Sequence, residues 1–152
     1  MTGLYLPGDT LVEVAVRGVP VGQGAIRSFG PGRATHANAP VLKPWRQQIQ
    51  AAIADIIGRD PVPHLGPVMV DATFTIKKPT AAPKRRRTFP TTRPDVDHYI
   101  RAVFDAVTAS GLWRDDSQVV ESSERKVYPG EHPQSLQGPG LVLRVSAVRE
   151  GQ

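Results

Sequence analysis

The sequence predicts an α+β fold: a single domain in which a mixed sheet of about four strands packs against two main helices. Four segments alternate apolar and polar residues with the two-residue period of a strand, and two others repeat apolar residues every three or four positions, as a helix does. A chain of 152 residues is long enough to form one domain with its own core. No internal repeat is visible, so we expect one domain over residues 1–152.

The first half of the chain predicts a strand, a loop and a helix. Residues 11–20 ("LVEVAVRGVP") alternate as a half-buried strand, and the Gly-rich residues 21–40 predict a loop with a short extended piece at 33–36. The first helix is expected from Pro44, which suits a first turn, to Ile57, with Gly58 ending it. Its apolar stripe consists of Trp45, Ile49, Ala52, Ile53 and Ile56.

The second half predicts a strand, a second helix and two further strands. The stretch "GPVMVDATFTIKKP" places its apolar residues, from Val68 to Ile76, on one strand face. A second helix begins after Pro94, with Asp95 as its N-cap, and ends at Gly111. Its apolar positions follow helical spacing: Ile100, Val103, Phe104 and Val107. The stretches "VVESSERKVYP" and "GLVLRVSAV" predict the last two strands.

Composition excludes several classes of protein. The chain has no cysteine, which removes disulfides and thiolate zinc sites, and it has no apolar run of membrane-spanning length. The first residues do not form a signal peptide, so we expect a soluble cytoplasmic protein that contacts no membrane. The four histidines lack zinc-motif spacing, and neither a complete phosphate-binding loop nor a GxSxG motif is present. We therefore expect no small organic cofactor.

The excess positive charge is confined to one segment. The chain carries 19 Lys and Arg against 14 Asp and Glu, a net charge of +5. Residues 77–93, which we call the basic loop, hold seven basic residues and no acid, so the remainder has 12 minus 14, or −2. A run of like charges of this kind is most often a solvated loop, and otherwise it binds an anionic partner. Its members are Lys77, Lys78, Lys84, Arg85, Arg86, Arg87 and Arg93.

Directly after this loop, five aspartates lie within residues 93–120: Asp95, Asp97, Asp105, Asp115 and Asp116. Each has an ordinary explanation. An N-cap aspartate stabilises a helix by about 0.5–2 kcal/mol, the i, i+4 series Asp97, Arg101 and Asp105 could form surface ion pairs, and residues 114–118 could be a polar turn.

The ordinary explanations do not account for several carboxylates converging beside a strongly basic segment. Mg²⁺ binds hard oxygen ligands, usually a few carboxylates with water and phosphate oxygens. Such an ion activates water in phosphodiester hydrolysis, while basic residues neutralise the phosphate backbone. This charge distribution is typical of a metal-dependent nuclease.

Residues 93–129, about a quarter of the chain, resemble the signature region of the RusA family of Holliday junction resolvases, endodeoxyribonucleases frequently carried by phages and prophages. The similar pieces include Arg93 and Pro94 before Asp-x-Asp, the segment "FDAV", Gly111, Trp113 and "DDSQV". The segments "RGVPVGQGAIRSF" and "WRQQIQAAI" are similar to the family's first strand, loop and first helix.

The resemblance implies specific roles. The family's metal-binding catalytic carboxylates fall on Asp95, Asp97 and Asp116, with Asp115 as a further contributor, and its catalytic lysine falls on Arg101. Two positions depart from the pattern, because His98 stands where Asn is usual and Arg101 where Lys is usual. His98 could approach the substrate or cap the first helical turn, and we expect the second. Arginine stays protonated and is a poor proton donor, so activity survives at position 101 only if the role is electrostatic.

From this resemblance and the charge pattern we expect a Mg²⁺-dependent endonuclease, with Mn²⁺ as a substitute, that cleaves four-way junctions and related branched DNA. The basic loop would hold the DNA backbone, and cutting two symmetric strands implies a homodimer. Two alternatives stay open: a branched-DNA-binding protein that has lost cleavage, and a small structural domain with a solvated loop.

Overall fold

The computed structural model describes residues 4–24, 26–28, 34–36 and 39–149, with 26–28, 34–36 and residue 39 described by their backbone alone. A short 3₁₀ helix spans Asp116–Gln118. The strands are β1 (Pro7–Arg17), β2 (Ile26–Ser28), β3 (Ala34–His36), β4 (Val68–Thr75), β5 (Val119–Val127) and β6 (Gly140–Val148), and the helices are α1 (Ala39–Ile57) and α2 (Val96–Ser110).

The four long strands form one mixed sheet in the order β1-β6-β4-β5, which confirms the predicted α+β class. β6 runs antiparallel to both β1 and β4, whereas β4 and β5 are parallel. Parallel neighbours need a crossover connection, and α2 supplies it. As a result α2 begins near the end of β4 and β5 and ends near their start. β5 is an edge strand, with its outer edge unpaired within the described residues.

Both helices pack on one face of the sheet and bury a single core. The alternation in β1 places Val12, Val14 and Val16 in that core, as predicted. On α1 the side chains of Trp45, Ile49 and Ile53 are at most 2 % exposed, and burying side chains of this size stabilises a fold by roughly 1.5–3 kcal/mol each. On α2 the buried residues include Tyr99, Ile100, Val103 and Val107, and the Tyr99 ring stacks on Phe74 at 5.0 Å.

Helix α1 ends at Ile57, as predicted, but it begins earlier than predicted. It begins at Ala39, so Pro44 lies inside the helix rather than in its first turn. The cause is Leu42, which is 1 % exposed and extends the buried stripe one turn upstream of Trp45. At the other end Ile56 is 56 % exposed, and Ile57 packs against the core instead.

Smaller features complete the fold. The extended piece expected at 33–36 is confirmed for Ala34–His36, which pairs with β2, and Arg33 lies outside the described residues. The connection between β5 and β6 covers part of the second sheet face, where the Thr73 hydroxyl donates to Gln134 Oε1 at 2.8 Å. Among the described residues no helix is both long and apolar enough to cross a membrane.

Candidate metal centre

Two carboxylates and an imidazole converge at the start of α2. One ligand atom from each of Asp95, Asp97 and His98 lies within 4.8 Å of the others, and we call this group the α2 site. Both aspartates are exposed and His98 is half-buried. Two ligands on one Mg²⁺ are at most about 4.2 Å apart, and on one Ca²⁺ about 5 Å. The observed spacing therefore fits a shared cation after small side-chain movements.

Asp95 occupies the N-cap position of α2, as predicted, but its side chain does not cap the helix. Its backbone is extended (φ −69°, ψ 151°), and its carboxylate makes no capping hydrogen bond. An N-cap aspartate ordinarily accepts a bond from a backbone N–H of the first turn. Because this carboxylate does not, its oxygens stay available to a cation.

The backbone around the α2 site is held by two other segments. From β5, the Lys126 ammonium donates to the carbonyl of Thr92 at 2.8 Å and to that of Pro94 at 3.0 Å. From the loop after β1, the Gln23 N–H donates to the His98 carbonyl at 2.9 Å. The Arg93–Pro94 peptide bond is cis.

Gly22 is required by the close packing of that loop against α2. A Cβ atom added at Gly22 would lie 2.7 Å from Pro94 Cβ and 3.1 Å from His98 Cβ. Only glycine fits such an approach without displacing its neighbours. Neither Gly22 nor Lys126 was predicted as a site residue, since the contacts join segments far apart in the sequence.

Arg101 lies one helical turn after Asp97 and is exposed. Neither Arg101 nor Asp97 forms an ion pair within the described part of the chain. Asp105 pairs instead with Arg46 of α1, whose Nη1 is 3.3 Å from Asp105 Oδ2. The surface ion pair that Asp105 could have formed with Arg101 is therefore not seen among the described residues, and Asp105 instead joins α2 to α1.

Asp115 is a structural residue of the turn after α2. Its side chain caps the 3₁₀ helix by accepting from the Ser117 N–H at 3.0 Å, and the Gln118 side chain completes a capping box. Hydrogen bonds from the Ser117 side chain and backbone lower the pKa of Asp115. The Gln118 amide also donates to the carbonyls of His64 and Gly66, at 2.7 and 2.9 Å. These bonds fix the turn against the loop before β4.

Asp116 is exposed and lies at the opposite end of the fold from the α2 site. The 15 residues of α2 separate the two, a length of about 22 Å. β5 returns over a similar distance, from Val119 beside Asp116 to Lys126 beside Pro94. Within one chain the structure therefore brings Asp95, Asp97 and His98 together and leaves Asp115 and Asp116 apart from them.

The basic loop forms one wall of an open groove. Lys84, Arg85, Arg86 and Arg87 are exposed and face the segment 130–133 across a cavity of about 560 Å³, which we call the basic groove. The Arg87 guanidinium lies 5.0 Å from the centre of the Phe89 ring, which is 65 % exposed. Lys77 and Arg93 are also exposed.

The loop is anchored rather than freely solvated. Glu131 accepts from the Lys78 ammonium and from the Thr88 N–H, both at 2.7 Å. These bonds, with the Lys78 contribution largest, lower the pKa of Glu131. Lys78 also donates to the Arg86 carbonyl at 3.2 Å and lies over the Tyr128 ring. Of the seven predicted DNA-binding residues, Lys78 is thus engaged inside the protein, and Glu131 is an anchor that sequence reasoning missed.

An exposed pair of carboxylates that directly follows an exposed basic loop in the chain has the features of a DNA-acting hydrolase. A family model described as "Endodeoxyribonuclease RusA" matches residues 18–135, which include the α2 site, the basic loop and residues 115–118. The chain belongs to this endodeoxyribonuclease family, and the resemblance drawn from residues 93–129 is confirmed.

One relative has an uninformative name. The "uncharacterized protein YqaN" of Bacillus subtilis (strain 168) is 30 % identical over 129 residues, covering 79 % of this chain and 89 % of the relative. Family membership implies endodeoxyribonuclease activity on Holliday junctions. Nucleases of this family generally depend on divalent metal, and the α2 site is an acidic group of the required kind.

Proposed function

We propose that this chain is a Mg²⁺-dependent endonuclease that resolves Holliday junctions and related branched DNA by hydrolysing phosphodiester bonds, in DNA recombination and repair. The observation that carries the proposal is the uncapped carboxylate of Asp95 beside Asp97. Branched DNA arises where DNA recombines, so we assign the activity to the cytoplasm of a bacterial or phage-infected cell.

The donor set of the α2 site fits a hard divalent cation. Asp95 and Asp97 supply carboxylate oxygens, which suit Mg²⁺ and Mn²⁺. Once bound, such a cation supplies Lewis-acid polarisation of the phosphate and activation of water. Mg²⁺ seldom takes nitrogen ligands, so we assign the cation to the two carboxylates. The imidazole of His98 is then left as a hydrogen-bonding partner for water or a phosphate oxygen.

Arg101 would hold the scissile phosphate. It lies on α2 one turn from Asp97 and has no ion-pair partner within the described residues, so its guanidinium is free to bind two phosphate oxygens. Because arginine stays protonated, the role we assign is electrostatic stabilisation of charge in the transition state.

The basic groove would bind the backbone of the DNA arms. Lys84 and Arg85–Arg87 are exposed on one wall, and the Glu131 anchor holds that wall in place. Basic side chains that neutralise phosphates release counterions, which supplies affinity without sequence preference. Lys77 and Arg93 add exposed charge at the two ends of the loop, whereas Lys78 contributes by positioning it.

Asp116 would join the metal site through a second copy of the chain. Within one chain it is on the order of 20 Å from Asp95, because α2 and β5 each span that distance. The edge of β5, which is unpaired within the described residues, offers a surface for two-fold pairing. If the β5 strands of two chains paired antiparallel, the start of the partner's β5 would lie next to the end of β5 in this chain. The partner's Asp116, which precedes its β5, would then lie near Lys126 of this chain. A homodimer would then have two composite sites, in which Asp115 holds the turn that carries Asp116.

The experiment that tests this function compares Asp95→Asn with Asp55→Asn. Asp95 lies in the α2 site, whereas Asp55 is an exposed aspartate of α1. We expect Asp95→Asn to abolish Mg²⁺-dependent cleavage of a four-way junction and to retain junction binding in EDTA. Asp55→Asn should cleave like the wild type. Full cleavage by Asp95→Asn would contradict the proposed metal site.

A further inference from the structure

Lys126 makes a contact to the α2 site that the proposed function does not explain. In the parallel pairing of β4 and β5 it is in register with Phe74, so it lies on the sheet face that carries α2. Its side chain is half-buried, and its ammonium reaches the carbonyls of Thr92 and Pro94, which lie three residues and one residue before Asp95. A residue of the sheet is thus bound directly to the turn that leads into the metal site.

The choice of acceptors matters for a metal centre. An ammonium group has three donors, and two of those of Lys126 are used on the neutral carbonyls of Thr92 and Pro94. Within the described residues Lys126 forms no ion pair with Asp95 or Asp97. A lysine paired with either carboxylate would compete with the cation. Lys126 instead fixes the backbone and leaves the ligand oxygens accessible.

The position of the Asp95 carboxylate depends on that backbone. Since the side chain makes no capping bond, the helix does not hold it directly. The Asp95 carbonyl accepts from the His98 N–H at 3.0 Å, so α2 holds the backbone on one side of Asp95, and the turn at 92–94 holds it on the other side. Metal ligands must be held to within about 0.5 Å by the groups that support them, and losing a supporting hydrogen bond typically weakens metal binding by about 10- to 100-fold.

We propose that Lys126 is a positioning residue of the metal site: by binding the Thr92 and Pro94 carbonyls, it holds Asp95 and Asp97 in the geometry that binds the divalent cation. The proposal rests on the proposed function for the identity of the site. A purely structural Lys126 would affect folding stability and leave the metal affinity of the folded protein unchanged.

The test measures Mn²⁺ affinity by isothermal titration calorimetry on the full chain. In Lys126→Met both donors to the carbonyls are lost, in Lys126→Arg they are partly restored, and Lys43→Met removes an exposed lysine of α1 as a matched control. We expect the Mn²⁺ dissociation constant to rise about tenfold in Lys126→Met. Lys126→Arg should recover part of this loss, and Lys43→Met should match the wild type.

Cleavage and DNA binding are measured on the same proteins. Lys126→Met should need about tenfold more Mg²⁺ for half-maximal cleavage, with junction binding in EDTA close to that of the wild type. If Lys126→Met does not fold, Lys126→Leu, which also lacks donors for the two carbonyls, replaces it under the same criterion. Wild-type Mn²⁺ affinity in folded Lys126→Met, or in the Lys126→Leu that replaces it, would overturn the proposal. A wild type that binds Mn²⁺ but cleaves no junction would overturn the proposed function and leave the affinity test of Lys126 intact.

Discussion

Lys78 Nζ and Glu131 Oε2 lie 2.7 Å apart, and each side chain is only 16 % exposed. This ion pair joins the first part of the basic loop to the connection between β5 and β6. The second carboxylate oxygen of Glu131 accepts from the Thr88 N–H, so a single acid holds the loop at two points ten residues apart. The loop that presents the arginines is therefore fixed by the fold.

The Glu131 anchor predicts a pH-dependent stability. Because the bonds from Lys78 and Thr88 lower its pKa in the folded state, the anchor stabilises the fold above the unfolded glutamate pKa of about 4.3. That contribution is lost as the pH falls through the lower folded pKa. We expect Glu131→Gln to unfold at lower urea concentration than the wild type at pH 7, with the difference shrinking below about pH 4.

The control for this measurement is Glu13→Gln, which removes an exposed glutamate of β1. It should leave the urea midpoint close to that of the wild type at both pH values. A Glu131→Gln midpoint equal to that of the wild type at pH 7 would show that the anchor does not stabilise the fold.

The basic groove predicts a salt-dependent affinity for DNA. Each neutralised phosphate contributes about −0.9 to the slope of log affinity against log salt concentration. The triple change of Lys84, Arg85 and Arg86 to Gln should therefore reduce the magnitude of that slope by up to about 3, measured by fluorescence anisotropy on a four-way junction in EDTA.

A second triple variant changes the same amount of charge elsewhere. Lys43, Arg59 and Arg149 are exposed and lie outside the basic loop, and their change to Gln should alter the slope by much less. Equal slopes for the two triple variants would mean that net charge, not the groove, determines binding.

Arg101 predicts an electrostatic effect on the cleavage step. Arg101→Ala should lower the single-turnover cleavage rate by about 100-fold or more, as expected when a donor to transition-state charge is removed. Arg101→Lys keeps the positive charge and should retain activity within about tenfold. The exposed Arg59 serves as a control through Arg59→Ala, which should cleave at the wild-type rate. A large gain of activity in Arg101→Lys would instead indicate that a proton donor is needed at this position.

The composite site predicts complementation between two inactive variants. In a homodimer of either Asp97→Asn or Asp116→Asn, both composite sites carry an altered aspartate. In a mixed dimer of the two variants, one site carries both alterations and the other site has both aspartates intact. After co-refolding, roughly a quarter of all sites should be intact, and nicking of a junction should return to about that level.

Mixing Asp95→Asn with Asp97→Asn provides the control, because every site then carries one altered ligand from the same subunit. It should show no recovery. Full activity of Asp116→Asn alone, or no recovery in the first mixture, would contradict the contribution of Asp116 from a second copy.

The sequence predicted the helices and strands that are determined by a pattern of neighbouring residues. The alternation in β1 and β4 and the apolar spacing of α2 determine which face is buried, and Gly111 ends α2 in the left-handed conformation (φ 82°) as expected. The proximity of Asp95 and Asp97 has the same kind of cause, since a two-residue spacing at a helix start puts both carboxylates at one end of the helix.

The remaining site features depend on contacts between distant segments. Lys126 reaches Pro94 across 32 residues and Glu131 reaches Lys78 across 53, and neither contact leaves a local pattern in the sequence. The sequence also does not show that an imidazole nitrogen of His98 lies within 4.8 Å of ligand atoms of the two aspartates. Asp116 belongs to the same sequence motif as Asp95 and Asp97, but within one chain the length of α2 separates Asp116 from the α2 site.

The central claim is that the α2 site catalyses metal-dependent cleavage of branched DNA. The most direct measurement incubates the purified wild type with a synthetic four-way junction and with a linear duplex of matched sequence, in Mg²⁺ and in EDTA, and resolves the products on a denaturing gel. We expect paired cuts in the junction only when Mg²⁺ is present, and little cutting of the duplex. Tight junction binding without cleavage in Mg²⁺ or Mn²⁺ would contradict it and indicate a branched-DNA-binding protein instead.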